Sequence, residues 1–184
     1  MKNLLLPLSL FFLVFSASAQ VDFGIKAGLN FSNIEYNIRG TSAEGRTGVH
    51  VGTLVDFSLS EKFHLQPEIL YSTEGIDEGG IDYLNIPVTL KWFFYDNINL
   101  NAGPQLGIVL DAEGGTQGLN KTNFAGVFGL GYEAPGGFMV DTRYSLGLSN
   151  IVDKDLTIDS GMGYMISGIR AWTRAFQLSI GYKF

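Results

Sequence analysis

The sequence predicts an all-β fold, an eight-stranded antiparallel up-and-down transmembrane β-barrel. Three observations support this prediction. Apolar and polar side chains alternate with a period of two in one segment after another, as they do along strands with two different faces. Short turns and longer polar connections join these segments alternately, which is typical of barrels that span a membrane. Aromatic residues gather at the short-turn ends, where a membrane interface would lie.

Residues 1–19 precede the predicted barrel and have the pattern of an export signal. Lys2 is basic, residues 4–15 are mostly apolar, and residues 17–19 read Ala-Ser-Ala. These are the basic, apolar and cleavage regions of a secretory signal peptide, which is removed from the mature protein. The apolar run is short for a membrane anchor. We therefore expect a cleaved signal peptide at residues 1–19 and one barrel domain at residues 20–184.

The composition of the chain argues against several other classes of protein. It has 12 basic and 18 acidic residues, and Lys2 is lost with the signal peptide, so its negative charge argues against a nucleic-acid partner. The chain has no cysteine, which excludes disulfides and thiol chemistry. Glycines or polar residues interrupt every apolar run after residue 19, so a membrane protein built of helices is not expected.

Eight strands follow from the alternation. They cover residues 21–32, 48–59, 63–72, 83–94, 98–111, 124–133, 138–149 and 174–184. The short connections lie near residues 60–62, 96–97 and 134–137, and the longer polar ones cover residues 34–47, 73–82, 112–123 and 150–173. An even number of strands places both chain ends on the side of the short turns. We expect that side to be the periplasm and the four longer loops to lie outside the cell.

The two faces of the predicted strands differ in chemistry. In the first strand Phe23, Ile25 and Leu29 share one face, while Lys26 and Asn30 share the other. A soluble barrel would bury the apolar face and a membrane barrel would expose it to lipid, so alternation alone does not choose between them. The short turns and the aromatic residues beside them favour the membrane barrel. These aromatic residues are Phe57, Phe63, Trp92, Phe94, Phe138, Tyr182 and Phe184.

Three prolines lie inside the predicted strands, at Pro67, Pro87 and Pro104. Proline has no amide hydrogen to donate to a neighbouring strand. Each of the three is therefore expected to mark a β-bulge or a strand end. A bulge would exchange the two faces of the strand beyond it.

The last predicted strand reads FQLSIGYKF and alternates strictly up to its final residue. Its apolar positions are Phe176, Leu178, Ile180, Tyr182 and Phe184. This ending resembles the signal by which the barrel-assembly machinery recognises bacterial outer-membrane barrels. The resemblance implies that these five residues form an assembly signal and that the machinery is a partner during biogenesis.

Longer segments carry a second, narrower resemblance. They read FGIKAGLNFSNI, LQPEILYS, YLNIPVTLKWFF, GPQLGIVLDAEG, DTRYSLGLSNI and FQLSIGYKF, in this order. They are similar to segments of the outer-membrane β-barrel family often labelled PorT-like or porin-family in Bacteroidetes. The resemblance covers essentially the whole mature chain. It implies a place in the outer membrane of a Gram-negative bacterium, in contact with its lipid and lipopolysaccharide, and an envelope protein as a further partner.

Charged residues on the polar face are the candidate functional residues. Eight strands enclose an interior that side chains or one small ligand can fill. Because buried charges are tolerated only when they are paired, we predict an internal ion-pair network. Its expected members are Lys26, Glu68, Lys91, Glu133, Asp141, Arg143 and Lys183. Glu68 and Lys91 are the expected central pair, since they lie on adjacent predicted strands at similar depth. A polar conduit lined by the same residues is the alternative.

Two further kinds of chemistry are weaker candidates. Some eight-stranded outer-membrane barrels are lipid-modifying enzymes that use Ser, His and an acid. In this chain His50 could serve with Ser32 or Ser72, while His64 is the other histidine. Separately, the acids Asp153, Asp155 and Asp159 suit a hard cation, but their spacing does not match a known calcium loop, and a solvated acidic loop is the simpler interpretation. No cofactor or metal is expected.

We therefore expect a non-enzymatic protein with a structural or interaction function at the cell envelope, its loops presented outside. A narrow channel for ions or small solutes is the second hypothesis. A lipid-modifying enzyme is the third.

Overall fold

The structure, a computed structural model, describes residues 20–36, 45–76, 79–152, 158–159, 165–166 and 170–184. Its strands are β1 Val21–Tyr36, β2 Arg46–Ser58, β3 Phe63–Ile76, β4 Gly79–Tyr95, β5 Ile98–Ala112, β6 Thr122–Glu133, β7 Phe138–Gly147, β8 Ile158–Asp159, β9 Met165–Ile166 and β10 Ala171–Lys183. Eight of them form a closed antiparallel barrel in the order β1-β10-β7-β6-β5-β4-β3-β2, and β8 pairs only with β9. This confirms the predicted fold class. No helix in the described part of the chain is long and apolar enough to cross a membrane.

The barrel closes where the first strand meets the last. β1 and β10 pair continuously from Gly24↔Lys183 to Tyr36↔Ala171, and β1 also pairs with β2. Beyond β10, the amide of Phe184 donates to the carbonyl of Phe23 at 2.9 Å. Closure leaves no strand edge, so the barrel backbone is hydrogen-bonded within the protein, as an apolar membrane requires.

The short connections lie at one end of the barrel, which we call the turn end; the opposite end is the loop end. Residues 59–62, 96–97 and 134–137 connect β2 to β3, β4 to β5 and β6 to β7. The two-residue turn needs Asp96 at a φ of 27°, and the turn before β7 places Gly137 at 94°. Asp and Gly adopt this left-handed conformation more readily than other residues, so the local sequence determines where these turns form.

At the loop end several strands run farther than the sequence predicts. β3 and β4 continue to the pair Ile76↔Gly79, so residues 73–82, expected to be a connection, are mostly a β-hairpin. β10 begins at Ala171 instead of residue 174. The alternation of apolar and polar residues stops here, but the hydrogen-bonded pairing of the strands continues. A strand outside the lipid needs backbone hydrogen bonds, but it does not need an apolar outer face.

The barrel is inverted relative to a soluble protein. Outward side chains are apolar and exposed, such as Phe23 at 55% and Phe176 at 44%, whereas inward ones such as Asp56 and Gln66 are fully buried. This confirms the face assignment. At the loop end the apolar outer belt gives way to charge, where Arg174 Nη2 lies 2.6 Å from Glu35 Oε2. On the other side of the barrel, Asp82 accepts a hydrogen bond from Tyr71.

The prediction of bulges or strand ends at the three prolines is wrong. The β3–β4 pairs keep one register through Pro67↔Val88, and the β5–β6 pairs keep one register through Pro104↔Gly126. Between β4 and β5 the register holds at Pro87↔Gln105, while the shifts lie at Asp82/Tyr83 and Phe93/Tyr95. A proline removes one ladder bond, and the pairs on either side are sufficient to hold the strands in register.

Two inward glycines make room for large inward side chains. A Cβ atom on Gly28 would lie 2.6 Å from Cε1 of His50, and one on Gly129 would lie 2.8 Å from Cγ of Arg143. Both distances are too short for real carbon contacts. The inward glycines therefore let the interior be filled by the side chains of neighbouring strands.

Gly129→Ala should destabilise the barrel by about 1–3 kcal/mol, because the added methyl group overpacks against Arg143 and the backbone carbonyl of Thr142. The measurement is urea unfolding of the refolded protein in detergent. Gly126→Ala is the matched control on β6, since the nearest atom to its added methyl group is 3.9 Å away. Equal midpoints for the two variants would contradict close packing around Gly129.

Candidate functional site

A cluster of four charges fills the middle of the barrel; we call it the middle cluster. Lys26 of β1 contacts Asp141 of β7 at 2.7 Å and Glu68 of β3 at 3.5 Å. Arg143 of β7 contacts the same two acids, at 2.7 Å for Glu68 and 3.2 Å for Asp141. None of the four side chains is more than 3% exposed. Two bases and two acids cancel, which offsets much of the cost of burying them.

A second group, the turn-end cluster, lies nearer the short turns. Lys91 contacts Asp56 at 2.7 Å and Glu133 at 2.5 Å. Lys183 contacts the same two acids, with its Nζ 3.3 Å from Asp56. The ring of His64 approaches the other oxygen of Asp56 at 2.7 Å. The cluster again combines two bases with two acids.

The structure places all seven predicted charged residues inside the barrel or at its turn end, but separates the expected central pair. The β3–β4 register sets His64 opposite Lys91, so Glu68 lies four residues farther from the turn. Glu68 therefore pairs with Lys26 and Arg143 across the lumen, and not with Lys91 on the adjacent strand. The expectation of similar depth ignored this stagger.

Sequence reasoning missed Asp56 as a member of the network. The predicted set has four bases and only three acids, so one base would have been left without a counter-charge. Asp56 lies on the polar face of β2 and is fully buried between Lys91 and Lys183. The charge imbalance of the predicted set was the signal that an inward acid was missing.

A chain of neutral hydrogen bonds, the polar relay, lies between the middle cluster and the loop end. The His50 ring meets Ser179 Oγ through Nε2 at 2.9 Å and Asn30 Oδ1 through Nδ1 at 2.7 Å. Asn30 Nδ2 donates to Ser72 Oγ at 2.7 Å. Ser72 then donates to Glu74 Oε1 at 2.9 Å.

The relay places a proton on one ring nitrogen of His50. Asn30 Oδ1 can only accept, so Nδ1 of His50 donates to it. When the imidazole is neutral, Nε2 accepts from the Ser179 hydroxyl. From His50, the hydrogen bonds continue through the Asn30 amide and the Ser72 hydroxyl, and the last of them ends at the carboxyl of Glu74.

Ser179, His50 and Asn30 have the order of a nucleophile, a base and a group that orients the base. The serine that contacts His50 is therefore not one of the two expected. Asn30 lies between His50 and Ser72, and the Ser32 hydroxyl donates to the carbonyl oxygens of Arg46 and Gly75. Ser179 and His50 are each 1% exposed. A lipid ester cannot reach them in this arrangement, and the three residues act here as interior packing.

An apolar plug closes the loop end. The inward side chains of β1, β4 and β10 join two residues that follow β7; the plug consists of Ile34, Ile81, Tyr83, Ile151, Val152 and Ala171. Asn120 holds the residues after β7 in place, since its side chain donates to the carbonyls of Asn150 at 2.9 Å and Val152 at 3.0 Å. The amide of Ile151 also donates to the carbonyl of Ala171 at 3.0 Å. The plug therefore covers the lumen on this side.

Beside the plug, one ion pair links two connections of the rim. Arg46 contacts Glu113 at 2.9 Å, and the amide of Gly80 donates to the same carboxylate at 3.1 Å. The Gly80 hydrogen bond and the Arg46 guanidinium hold the pKa of the Glu113 carboxyl below its usual range. The rim pair is exposed, so salt will screen it.

The turn end is open, unlike the loop end. A cavity of about 500 Å³ lies there, and its lining includes Asp22, Glu61, His64, Phe93, Glu133 and Lys183. Farther inside, the side chains around Glu133 leave only a narrow gap, too small for a water molecule. Beside this gap, Asn99 Nδ2 and Asn101 Oδ1 are buried, and neither has a hydrogen-bond partner among the described residues. The interior is thus polar and partly hollow near the turns, and apolar and filled near the loops.

Some predicted features cannot be placed. Residues 1–19, and Asp153 and Asp155 of the acidic loop, lie outside the described residues, and for Asp159 only the backbone is described. The five residues of the predicted assembly signal are placed: Phe176, Leu178, Ile180 and Tyr182 point outward from β10, and Phe184 follows it.

Glu68→Gln should lower the free energy of unfolding by about 3 kcal/mol or more, because it leaves Lys26 and Arg143 to share one acid in a buried site. Urea unfolding in detergent measures the loss. The control is Glu113→Gln, which removes an exposed partner of Arg46 and should change the midpoint little. Similar small shifts for both variants would show that the middle cluster does not stabilise the barrel.

Solved structures of other outer-membrane proteins resemble this barrel. Ail of Yersinia pestis, in complex with the heparin analogue sucrose octasulfate, is 14% identical; the match covers 90% of this chain and 99% of Ail, with a TM-score of 0.56. Neisserial surface protein A is 11% identical, with coverage of 90% and 99% and a TM-score of 0.60. At these identities the likeness shows the fold alone. No curated protein matches the chain.

A family comparison reaches further than these structures. The family described as "Outer membrane protein beta-barrel domain" matches residues 16–153, which is more than half of the chain. The closed eight-stranded barrel, with its apolar exterior and polar interior, agrees with that match. This chain therefore belongs to the outer membrane protein beta-barrel domain family, and its place is the bacterial outer membrane.

Proposed function

We propose that this protein is a non-enzymatic scaffold of the cell envelope, a closed barrel that presents its loops to lipopolysaccharide, to a ligand or to another envelope protein. The observation that carries the proposal is the apolar plug, in which Ile151 and Val152 pack on Ile34, Ile81 and Tyr83. A lumen covered by apolar side chains opposes the passage of ions, which would have to shed water to cross it. The exterior and the loops then remain as the surfaces through which the protein acts.

The chemistry of the interior supports a structural purpose. The charges of the middle and turn-end clusters are balanced, and each base contacts two acids. Paired charges of this kind hold strands in one arrangement. The relay of Ser179, His50 and Asn30 is inaccessible to a lipid substrate. Both features favour a scaffold over an enzyme.

We further propose how the protein reaches and enters its membrane. Residues 1–19 act as a cleaved signal peptide, the turn end faces the periplasm, and the outward apolar residues of β10 serve as the assembly signal read by the barrel-assembly machinery. Within its family, we assign the chain to the PorT-like group of Bacteroidetes. Six quoted sequence segments support that assignment, from residue 23 to residue 184.

The ligand of Ail does not extend to this chain. Ail was solved with sucrose octasulfate, a polyanion. The present chain has a formal net charge of −6, which opposes the binding of a polyanion by general attraction. The scaffold is therefore proposed without a heparin-like ligand, and its contact with the phosphates of lipopolysaccharide is proposed to run through bridging divalent cations.

A narrow channel is the second candidate, and one observation favours it. The turn-end cavity reaches Glu133 and Lys183, so water or a small ion can enter as far as the turn-end cluster. Displacement of the plug, together with a rearrangement of the middle cluster, would then complete a path through the barrel.

Planar-bilayer recording distinguishes the two candidates. We expect the wild-type protein, shown independently to be folded and inserted, to give no discrete conductance steps. Lys91→Ala should be equally silent and less stable, because it leaves Asp56 and Glu133 with Lys183 alone. Asn120→Ala, which loosens residues 150–152 while leaving the charges intact, tests the seal.

Ion-selective steps in the wild type that change with Lys91→Ala would replace the scaffold by the channel. Steps that appear only in Asn120→Ala would locate the seal at the plug and keep the native protein closed. The second result is compatible with the scaffold, and the first is not.

A further inference from the structure

One buried acid lies outside the balanced clusters. Four bases and four acids of the interior pair with one another: Lys26, Lys91, Arg143 and Lys183 with Asp56, Glu68, Glu133 and Asp141. Glu74 of β3 is a fifth interior carboxyl and is 4% exposed. Among the described residues, no base forms an ion pair with it.

The contacts of Glu74 are all neutral, and both reach the same oxygen. Ser72 Oγ donates to Oε1 at 2.9 Å, and Asn85 Nδ2 donates to Oε1 at 2.8 Å. The polar relay brings no base into contact with Glu74, because Asn30 and Ser72 lie between the carboxyl and His50. The second oxygen, Oε2, is left for another partner.

A second polar group near Glu74 also lacks a partner among the described residues. The hydroxyl of Tyr83 makes no hydrogen bond with any of them, and the residue is 1% exposed. Tyr83 faces Ser72 across the β3–β4 ladder, and the next inward pair on that ladder is Glu74↔Ile81. Glu74 and Tyr83 are therefore diagonal neighbours on the inner face of the β3–β4 ladder, and among the described residues no ion pair reaches the carboxyl.

The surroundings make an empty, ionised Glu74 costly. Ile81 and Tyr83 belong to the apolar plug directly above the carboxyl. An unpaired carboxylate in such a place would take up a proton or bind a cation. Hard cations prefer oxygen ligands, and carboxylate and phenol oxygens are both available here.

We propose that Glu74 and Tyr83 form an interior binding site for a single monovalent cation, either a proton or an alkali-metal ion. With a proton bound, the Glu74 carboxyl is neutral and can turn its hydroxyl toward the Tyr83 oxygen, which makes no hydrogen bond among the described residues. With an alkali-metal ion bound, the two oxygens coordinate it. In both cases the bound charge neutralises the carboxyl beneath the plug.

Occupancy of this site is coupled to the seal of the barrel. A neutral site lets Ile81 and Tyr83 pack closely, whereas an empty, charged site draws water under them. Among the described residues, the titratable groups that face Glu74 are His50 of β2 through the relay and Tyr83 of β4, with the Arg46–Glu113 pair at the rim above. β1 contributes the neutral Asn30 and Ser32.

The test compares Glu74→Gln with Glu68→Gln in the refolded full-length protein, in choline chloride and in NaCl, between neutral and alkaline pH. Gln at residue 74 keeps the acceptor for Ser72 and Asn85 and places an amide hydrogen toward Tyr83, so it imitates the occupied site. In choline chloride at alkaline pH, Glu74→Gln should unfold about 2–4 °C above the wild type. Glu68→Gln should unfold below the wild type under every condition.

The two sources of positive charge give different results in the wild type. A bound proton produces a protonated-carboxyl infrared band at neutral pH that is missing in Glu74→Gln, and the midpoint falls as pH rises in either salt. A bound alkali-metal ion produces no such band, and replacing choline by sodium raises the midpoint of the wild type alone. Tyr83→Phe should weaken either signature without removing the carboxyl.

The opposite pattern would overturn the proposal. It is wrong if Glu74→Gln destabilises the barrel as Glu68→Gln does, while the wild type shows neither the infrared band nor a dependence on sodium. Glu74 would then be a carboxylate held by neutral donors alone. Since the band and the sodium dependence are measured on the wild type, the test holds even if a variant fails to fold.

Discussion

The structure depends on one constraint: a backbone inside a lipid layer must satisfy its own hydrogen bonds. Pairing of β1 with β10 meets that constraint by closing the sheet. Closure with eight strands then leaves a narrow interior, which in this protein is filled largely by side chains. The inward glycines, the paired charges and the relay follow from it, because every large polar side chain must find both space and a partner within that tube.

The interior changes in character from one end to the other. Near the turns it is charged and hollow, with Lys183 and Glu133 at the edge of a cavity. In the middle the charges are fully enclosed, beyond them lie neutral hydrogen bonds, and the plug is apolar. Among the described residues, the cavity that admits water to the charged interior lies at the turn end. Glu74 lies where the polar part meets the plug, which is why its missing counter-charge is more costly than the same deficit would be near the turns.

Much of this fold could be predicted from alternation, because a period of two records which face of a strand meets lipid. The seven charged residues were found in this way. Their pairing was not, because it depends on strand stagger and on reach across the lumen, as Glu68 and Arg143 show. Asp56 was missed, although a count of the predicted bases and acids would have shown that one acid was lacking. The prediction at the prolines was wrong because the paired residues on either side hold the register when one amide hydrogen bond is lost. The part of β3 beyond residue 72 was not predicted because its apolar and polar residues do not alternate.

Strands β3 and β4 extend beyond the apolar outer surface of the barrel, and their length sets how far their tip lies from the lipid. Beyond the outward charges of Glu35, Arg174 and Asp82, the β3–β4 ribbon continues through three further pairs to Ile76 and Gly79. Given the rise per residue and the tilt of barrel strands, these three pairs extend the hairpin by a length on the order of 10 Å. In the proposed orientation, with the loop end outside the cell, this paired part of β3 and β4 would meet an antibody clear of the lipid headgroups, because its backbone hydrogen bonds do not depend on the bilayer.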